Sequence, residues 1–258
     1  MRVAVVTATL GESTLTRTAT SVQEQTWSQL THLVIVDGPA AEDGARRALD
    51  QLAADAVPRY VICLPYRIGG PDTFGHKAYL AAPYLAPPGT DVICMLDADN
   101  WYEPEHVADV VAALSEPGVA WAYSLRKIVD PEGRFICRDD CDSIGEWQRG
   151  IVAYVGSGLL SEEEDDFYRE HAYHVDINCC ALPIGLLRQV GDELLTGRRA
   201  DSALACRLIA EYPGRGTGRY TVNYRLGSAV AGTERYFRNG NEGMLSRYPE
   251  GFPWARST

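Results

Sequence analysis

Asp97 and Asp99 stand two residues apart at the end of an apolar run, residues 92–96, and Trp101-Tyr102 follow them. Carboxylates in that spacing can both turn toward one ligand where a chain leaves a sheet. Hard divalent cations take such oxygen ligands, and Mg²⁺ commonly shares its coordination sphere with substrate phosphates. A cation held there would neutralise charge building on a departing diphosphate. Asp37 ends a second apolar run, residues 33–36, and Asp201 opens a helical pattern that reaches Tyr212. A carboxylate in a helix's first turn either caps the helix or points into a cleft, where it can take a proton from a hydroxyl. His174 and Asp176 lie between an acidic stretch, Ser161-Glu162-Glu163-Glu164, and Asn178. His174 is a candidate third metal ligand beside Asp97 and Asp99.

The surrounding pattern supplies elements to position these groups. Residues 3–6, 33–36, 60–64 and 92–96 read as short buried strands. Between them, Leu15, Ala19 and Val22 mark one helical face within residues 13–24. Ala41, Ala45, Ala48, Leu49 and Leu52 mark a second. A loop with Gly69, Gly70, Pro71 and Gly75 leads to a third helix over 78–85, with a kink expected at Pro83. Strands alternating with helices predict a parallel sheet covered on both faces. Such sheets bind ligands beyond the carboxyl ends of their strands, where Asp37, Asp97 and Asp99 all fall. A helix follows Pro104. Strands at 119–125 and 134–137, joined by a turn at Asp130-Pro131-Glu132-Gly133, then break the alternation and predict a mixed sheet. Ser161 reads as the cap of an acidic helix, Pro183 opens another helix, and Val222, Tyr224 and Leu226 alternate as a late strand. The tail from Thr233 is polar and contains glycine, and Arg235 and Arg238 within it are candidates to close over a diphosphate. Trp101, Tyr102, Trp147 and Tyr154 are candidates to stack on a sugar, or simply to pack.

The chain has 258 residues, enough for one large α/β domain with a substantial core. Its formal net charge of -11 argues against a nucleic-acid partner and against holding an anionic membrane by charge. No apolar run approaches the length that spans a bilayer, and the N-terminus lacks a signal-peptide pattern. Seven cysteines, an odd number, read as reduced thiols of a cytoplasmic protein. Cys137 and Cys141 flank Asp139 and Asp140, which leaves a zinc site open there. No Gly-x-Gly-x-x-Gly follows a strand, which disfavours a dinucleotide oxidoreductase.

Four segments in order resemble glycosyltransferase family 2. Ser21-Val22-Gln23-Glu24-Gln25-Thr26-Trp27 resembles the end of that family's first helix. Ile35-Val36-Asp37-Gly38 resembles its nucleotide-binding strand end, and Met95-Leu96-Asp97-Ala98-Asp99-Asn100 its metal-binding motif. Arg199-Ala200-Asp201, with Leu204, Arg207 and Leu208, resembles its later acidic motif. The resemblance implies a GT-A, Rossmann-like fold, mostly parallel with helices on both faces and mixed in the acceptor half. It implies one domain over residues 1–258: 1–103 for the nucleotide sugar, 104–230 for the acceptor, and 231–258 as tail or lid. The implied activity is inverting transfer from a nucleoside-diphosphate sugar, UDP-linked by preference, assisted by Mg²⁺ or Mn²⁺. The acceptor is left open among small-molecule, lipid-linked and glycan hydroxyls. Asp37 would contact the base, Asp97 the ribose and metal, Asp99 the metal, and Asp201 would be the general base. Thr9, Glu12, Lys77 and Ala98 complete the implied donor site. Thr7-Ala8-Thr9-Leu10, Val36-Asp37-Gly38-Pro39, Gly75-His76-Lys77 and Ala200 all depart from the family pattern, and His76 or Lys77 would take over a cationic contact. Two other readings stand beside this one: a non-catalytic nucleotide-sugar-binding protein, and a sugar-nucleotide pyrophosphorylase. The second would want a basic, Gly-rich loop at residues 7–12, which hold one glycine and no basic residue.

Overall fold

The computed structural model describes every residue except 53–55, 72, 74, 149–172, 198–199, 228–229 and 256–258. The expected acidic helix at Ser161, Tyr154 and Arg199 lie outside the described residues. The strands are β1 (Val3–Thr9), β2 (Leu30–Val36), β3 (Arg59–Cys63), β4 (Val92–Met95), β5 (Trp101–Tyr102), β6 (Trp121–Val129), β7 (Phe135–Arg138), β8 (Cys180–Pro183) and β9 (Gly214–Arg225). The α-helices are α1 (Leu15–Gln23), α2 (Glu42–Leu49), α3 (His76–Leu85), α4 (His106–Leu114), α5 (Ile184–Val190), α6 (Ala200–Glu211) and α7 (Val230–Arg247).

The strands form one sheet in the order β3-β2-β1-β4-β8-β6-β9-β5, with β7 paired to β6. The first four are mutually parallel, as the βα rhythm predicts. β8 then runs antiparallel to both β4 and β6, so the sheet is mixed beyond β4. Alternation along β2 sets the layers. Leu33 and Ile35 enter the main core with Tyr79 of α3 and Ile93 of β4, whereas Val34 and Val36 face Leu15, Ala19, Ala45 and Leu49 of α1 and α2. The strand order reverses between β1 and β4: from β1 the chain leads to β2 and β3 on one side, and it then returns to β4 on the other. A crevice opens at such a switch point, beyond the carboxyl ends of the strands.

β5 and β8 have no counterpart in the sequence reading, and two further elements differ from it. β9 begins at Gly214, eight residues before its alternating apolar positions. A Cβ at Gly214 would lie 2.6 Å from the Trp121 ring, and one at Gly216 would lie 3.0 Å from Tyr123. Glycine, usually a weakener of strands, is here what lets β9 pass two buried aromatics of β6. The polar tail is an 18-residue helix, α7. Its Phe237 and Met244 pack with Leu125, Ile128 and Trp254, and its Gly240 lies so close to Cys141 that a Cβ would sit 2.6 Å from the sulfur. Three glycines and sparse apolar residues hid that helix from a periodicity reading. α3 runs through Pro83, whose carbonyl accepts a hydrogen bond from Arg188 Nη2 at 2.8 Å.

Candidate active site at the sheet's switch point

A cleft of about 900 Å³ lies at this crevice, lined by Thr9, Glu12, Asp37, Asp97, Ala98, Asp99 and Asp201. Seven of the residues singled out from sequence therefore share one cavity. Lys77 does not line it; its neighbour His76 does, with Arg67, Asp176, Tyr224 and Arg225. His174 lines a second chamber of about 540 Å³ that shares Asp176, Asp201 and Tyr224 with the cleft.

The loop after β1 is held from within. Glu12 Oε2 accepts from the Thr9 hydroxyl at 2.6 Å and from the Leu10 amide at 3.0 Å. Gly11 adopts φ +81° against α2, where a Cβ would meet the Ala41 carbonyl oxygen at 2.5 Å. Asp37, at the end of β2, accepts the amides of Ile68 and Gly69 on its two oxygens at 2.7 and 2.9 Å. It thereby fixes the glycine-rich loop that forms one wall. A carboxylate has further lone pairs, so this role leaves room for a ligand contact.

Asp97 is the best-anchored group of the pair. The Tyr79 hydroxyl donates to one oxygen at 2.7 Å and Asn178 Nδ2 to the other at 2.9 Å. Asn178 Oδ1 in turn accepts the Asp97 amide at 2.6 Å. Burial, and then the neighbouring charge of Asp99, push the Asp97 carboxyl up to about 7. Burial raises Asp99 as well, with Arg225 opposing. Asn178 Nδ2 also donates to Asp176 at 2.7 Å, so one amide side chain spaces Asp97 and Asp176.

Asp201 lies in the first turn of α6. One oxygen accepts the Ile177 amide at 3.3 Å; the other pairs with His76 Nε2 at 3.3 Å. Burial favours its neutral form, but His76 and His174 outweigh that and hold the carboxyl below its usual range, so it stays ionised. Burial works against the charged form of His76, yet Asp201, Asp97 and Asp176 raise it overall.

Beneath the chamber, the buried Arg126 of β6 gathers three carboxylates. Its Nε donates to Asp139 at 2.7 Å, one terminal nitrogen to Asp142 at 2.6 Å, and the other to Asp176. Tyr224 and Phe237 lie over the guanidinium at 4.4 and 5.5 Å. Asp139 also accepts the amides of Cys141, Asp142 and Ser143, so it is committed to this network. The zinc site that the sequence left open at Cys137 and Cys141 gains no ligand from Asp139, and both cysteines are reduced thiols. Sequence reasoning passed over Arg126; the available signal was an arginine in the middle of a strand that is largely apolar and aromatic. Tyr102 is also no sugar platform: it is buried, its hydroxyl bonding the carbonyls of Met95 and Asn178. The Trp101 ring is covered by Arg17 at 3.4 Å, and the Trp147 ring lies 6.4 Å from that of Trp254. Arg238 pairs with Glu234 along α7, and Arg235 is exposed there.

The donor set suits a hard divalent cation. Ligand atoms of His174, Asp176 and Asp201 lie within 4.8 Å of one another, and the cleft adds the carboxylates of Asp97 and Asp99, which burial raises above their ordinary values. Oxygen-rich sites with one imidazole fit Mg²⁺ or Mn²⁺.

No protein-family model and no curated protein matches this sequence. Solved structures do resemble it. Residues 1–349 of S. aureus TarS, in complex with UDP-GlcNAc, superpose with a TM-score of 0.60 and 14% identity, over 88% of this chain and 59% of that one. The mannosyltransferase PcManGT from Pyrobaculum calidifontis, in complex with GDP-Man and Mn²⁺, gives a TM-score of 0.57 and 15% identity, over 97% of this chain and 65% of that one. The chain thus spans about three-fifths of the length of these structures. With the strand order above, the likeness defines an α/β fold of GT-A type.

Proposed function

We propose that this protein is a metal-dependent, inverting glycosyltransferase that moves a sugar from a nucleoside-diphosphate sugar to an acceptor hydroxyl. The observation that carries the reading is the position of Asp201: it lines both the switch-point cleft and the adjoining chamber. The cleft would hold the donor and the chamber the acceptor. Residues 1–103 would then be the donor half, 104–230 the acceptor half and 231–258 a cover. Asp37 and the loop it orders would flank the base, and Thr9 and Glu12 the ribose. UDP-sugars are the first donors to try, and the GDP-Man complex of the Pyrobaculum calidifontis neighbour puts GDP-sugars second.

A bound Mg²⁺ or Mn²⁺ would supply charge neutralisation at the leaving diphosphate, with Asp99, Asp97 and His174 as its candidate ligands. Asp201 would take the acceptor proton as the acceptor oxygen bonds the anomeric carbon from the face opposite the departing diphosphate. His76 would keep the Asp201 carboxylate aimed at the junction, and Asn178 would keep Asp97 facing the cleft. The cleft's arginines, Arg67 and Arg225, would face the phosphates. A reducing, cytoplasmic setting belongs to the same proposal, and the seven cysteines, all reduced thiols, support it.

Asp201→Asn tests the reading. Turnover should fall by about 10²–10⁴ while nucleotide affinity stays near the wild-type value. An unchanged rate would favour a non-catalytic binding protein. Equal loss of affinity and rate would mark Asp201 as a structural residue.

A further inference from the structure

The side chamber bears on the chemistry of the acceptor, given the transferase reading on which this inference rests. Its walls are Arg126, Asp142, His174, Asp176, Asp201 and Tyr224, closed by Gly232, Thr233, Tyr236 and Phe237 of α7. Among the described residues of the chamber, Arg126 is the single permanent cation. Each of its three guanidinium nitrogens already sits on a carboxylate, those of Asp139, Asp142 and Asp176. A buried guanidinium so engaged gives little to a second anion, since reaching it would strip a buried carboxylate of its partner. The rest of the described wall carries more negative charge than positive. Tyr236 adds a different kind of surface: it is 42% exposed and lines the chamber. A partly exposed ring beside acidic groups matches the apolar face of a pyranose, whose hydroxyls those carboxylates can accept.

We infer that the acceptor is an uncharged carbohydrate that stacks on Tyr236 and presents a hydroxyl to Asp201, and that phosphate-bearing acceptors are disfavoured. Two independent observations converge. A phosphate nucleophile arrives already ionised and has no use for a base, yet a carboxylate stands at the junction of the two cavities. It would also approach Asp142, Asp176 and Asp201 with its own charge uncompensated. In the step inferred here, the acceptor O–H proton passes to Asp201, the oxygen bonds the anomeric carbon, and the anomeric C–O bond breaks with its electron pair on the diphosphate.

The test measures nucleoside diphosphate release from a donor sugar in Mn²⁺, first in water alone, then with three probe classes. These are methyl glycosides and neutral disaccharides, sugar phosphates, and a short-chain polyprenyl phosphate in detergent. Uncharged glycosides should raise release above the water background by about tenfold or more, and both anionic classes should leave it there. Stimulation by an anionic probe equal to or above that of the glycosides overturns the inference, as does no response to any glycoside. Tyr236→Ala should raise the KM of the stimulating glycoside about tenfold and leave the donor KM within about twofold, and Tyr236→Trp should restore it. An unmoved acceptor KM in Tyr236→Ala removes the stacking platform. Release in water and Mn²⁺-dependent nucleotide binding report the transferase reading separately. Their absence defeats that reading, whereas their presence without a glycoside response defeats only the acceptor inference.

Discussion

The two sides of the sheet build their parts of the cavity in different ways. On the parallel side, β3-β2-β1-β4, the acidic groups come from the carboxyl ends of parallel strands: Asp37 after β2, Asp97 and Asp99 after β4. Topology alone delivers them to one rim, because every strand points the same way. On the mixed side, β8-β6-β9-β5, the groups come from a strand interior (Arg126), a loop (Asp142), the approach to β8 (Asp176) and a helix start (Asp201). Nothing in the strand order requires them to meet. Arg126 holds Asp142 and Asp176 by side-chain bonds across the chain, and His76 and the Ile177 amide hold Asp201. A site made by topology tolerates loss of one member; a site made by a charged network does not.

Arg126→Ala sharpens that contrast most. It leaves Asp139 buried without its cation and frees Asp142 and Asp176, so it should cost about 3–5 kcal/mol in urea unfolding. Asp37→Asn, on the parallel side, keeps one acceptor oxygen for the loop amides and should cost about 1–2 kcal/mol. Equal costs would break the comparison.

Gly11→Ala comes next. A residue with a Cβ at φ +81° against the Ala41 carbonyl is strained on two counts, so about 1–3 kcal/mol should be lost. Gly216→Ala, where the obstacle is a ring of β6, should cost less, as an aromatic edge can give more than a backbone carbonyl can.

A further effect concerns pH. Burial holds His106, which bonds Thr221 at 2.8 Å and stacks on Tyr102 at 3.6 Å, at about 3. The unfolded chain therefore takes up that proton first on acidification. The contribution is complete above pH 6.5, the ordinary value, and is lost as pH falls toward 3. The stability gap between wild type and His106→Gln should narrow by about 1.4 kcal/mol per pH unit below that point. A constant gap would mean that His106 is not a buried neutral imidazole.

The parallel side was largely legible in the sequence for the same reason that it is simple. Short β-branched runs ending in aspartate state both the strand and the rim position of the carboxylate. The helix opened by Asp201 and the β6–β7 hairpin were legible too, from an apolar stripe and from Asp130-Pro131-Glu132-Gly133. The rest was written in contacts between distant residues. The start of β9 is glycine-rich because Trp121 and Tyr123 occupy the space, and α7 carries Gly240 because Cys141 does. His76 draws its meaning from Asp201, and Asn178 from Asp97, over long separations in the chain. Local propensity holds no record of such pairs.

The central claim is that the carboxylates at the end of β4 and the adjoining cleft hold a metal-bound nucleoside diphosphate. Thermal unfolding with each nucleoside diphosphate, with and without Mn²⁺, in wild type and Asp99→Ala, tests it most directly. At a hundred times its dissociation constant a ligand adds about 2.7 kcal/mol, which at this size raises Tm by roughly 2–4 °C per kcal/mol. The account predicts such a rise for one nucleotide in wild type, dependent on Mn²⁺ and lost in Asp99→Ala. No rise with any nucleotide, or a rise indifferent to both metal and Asp99, would contradict it.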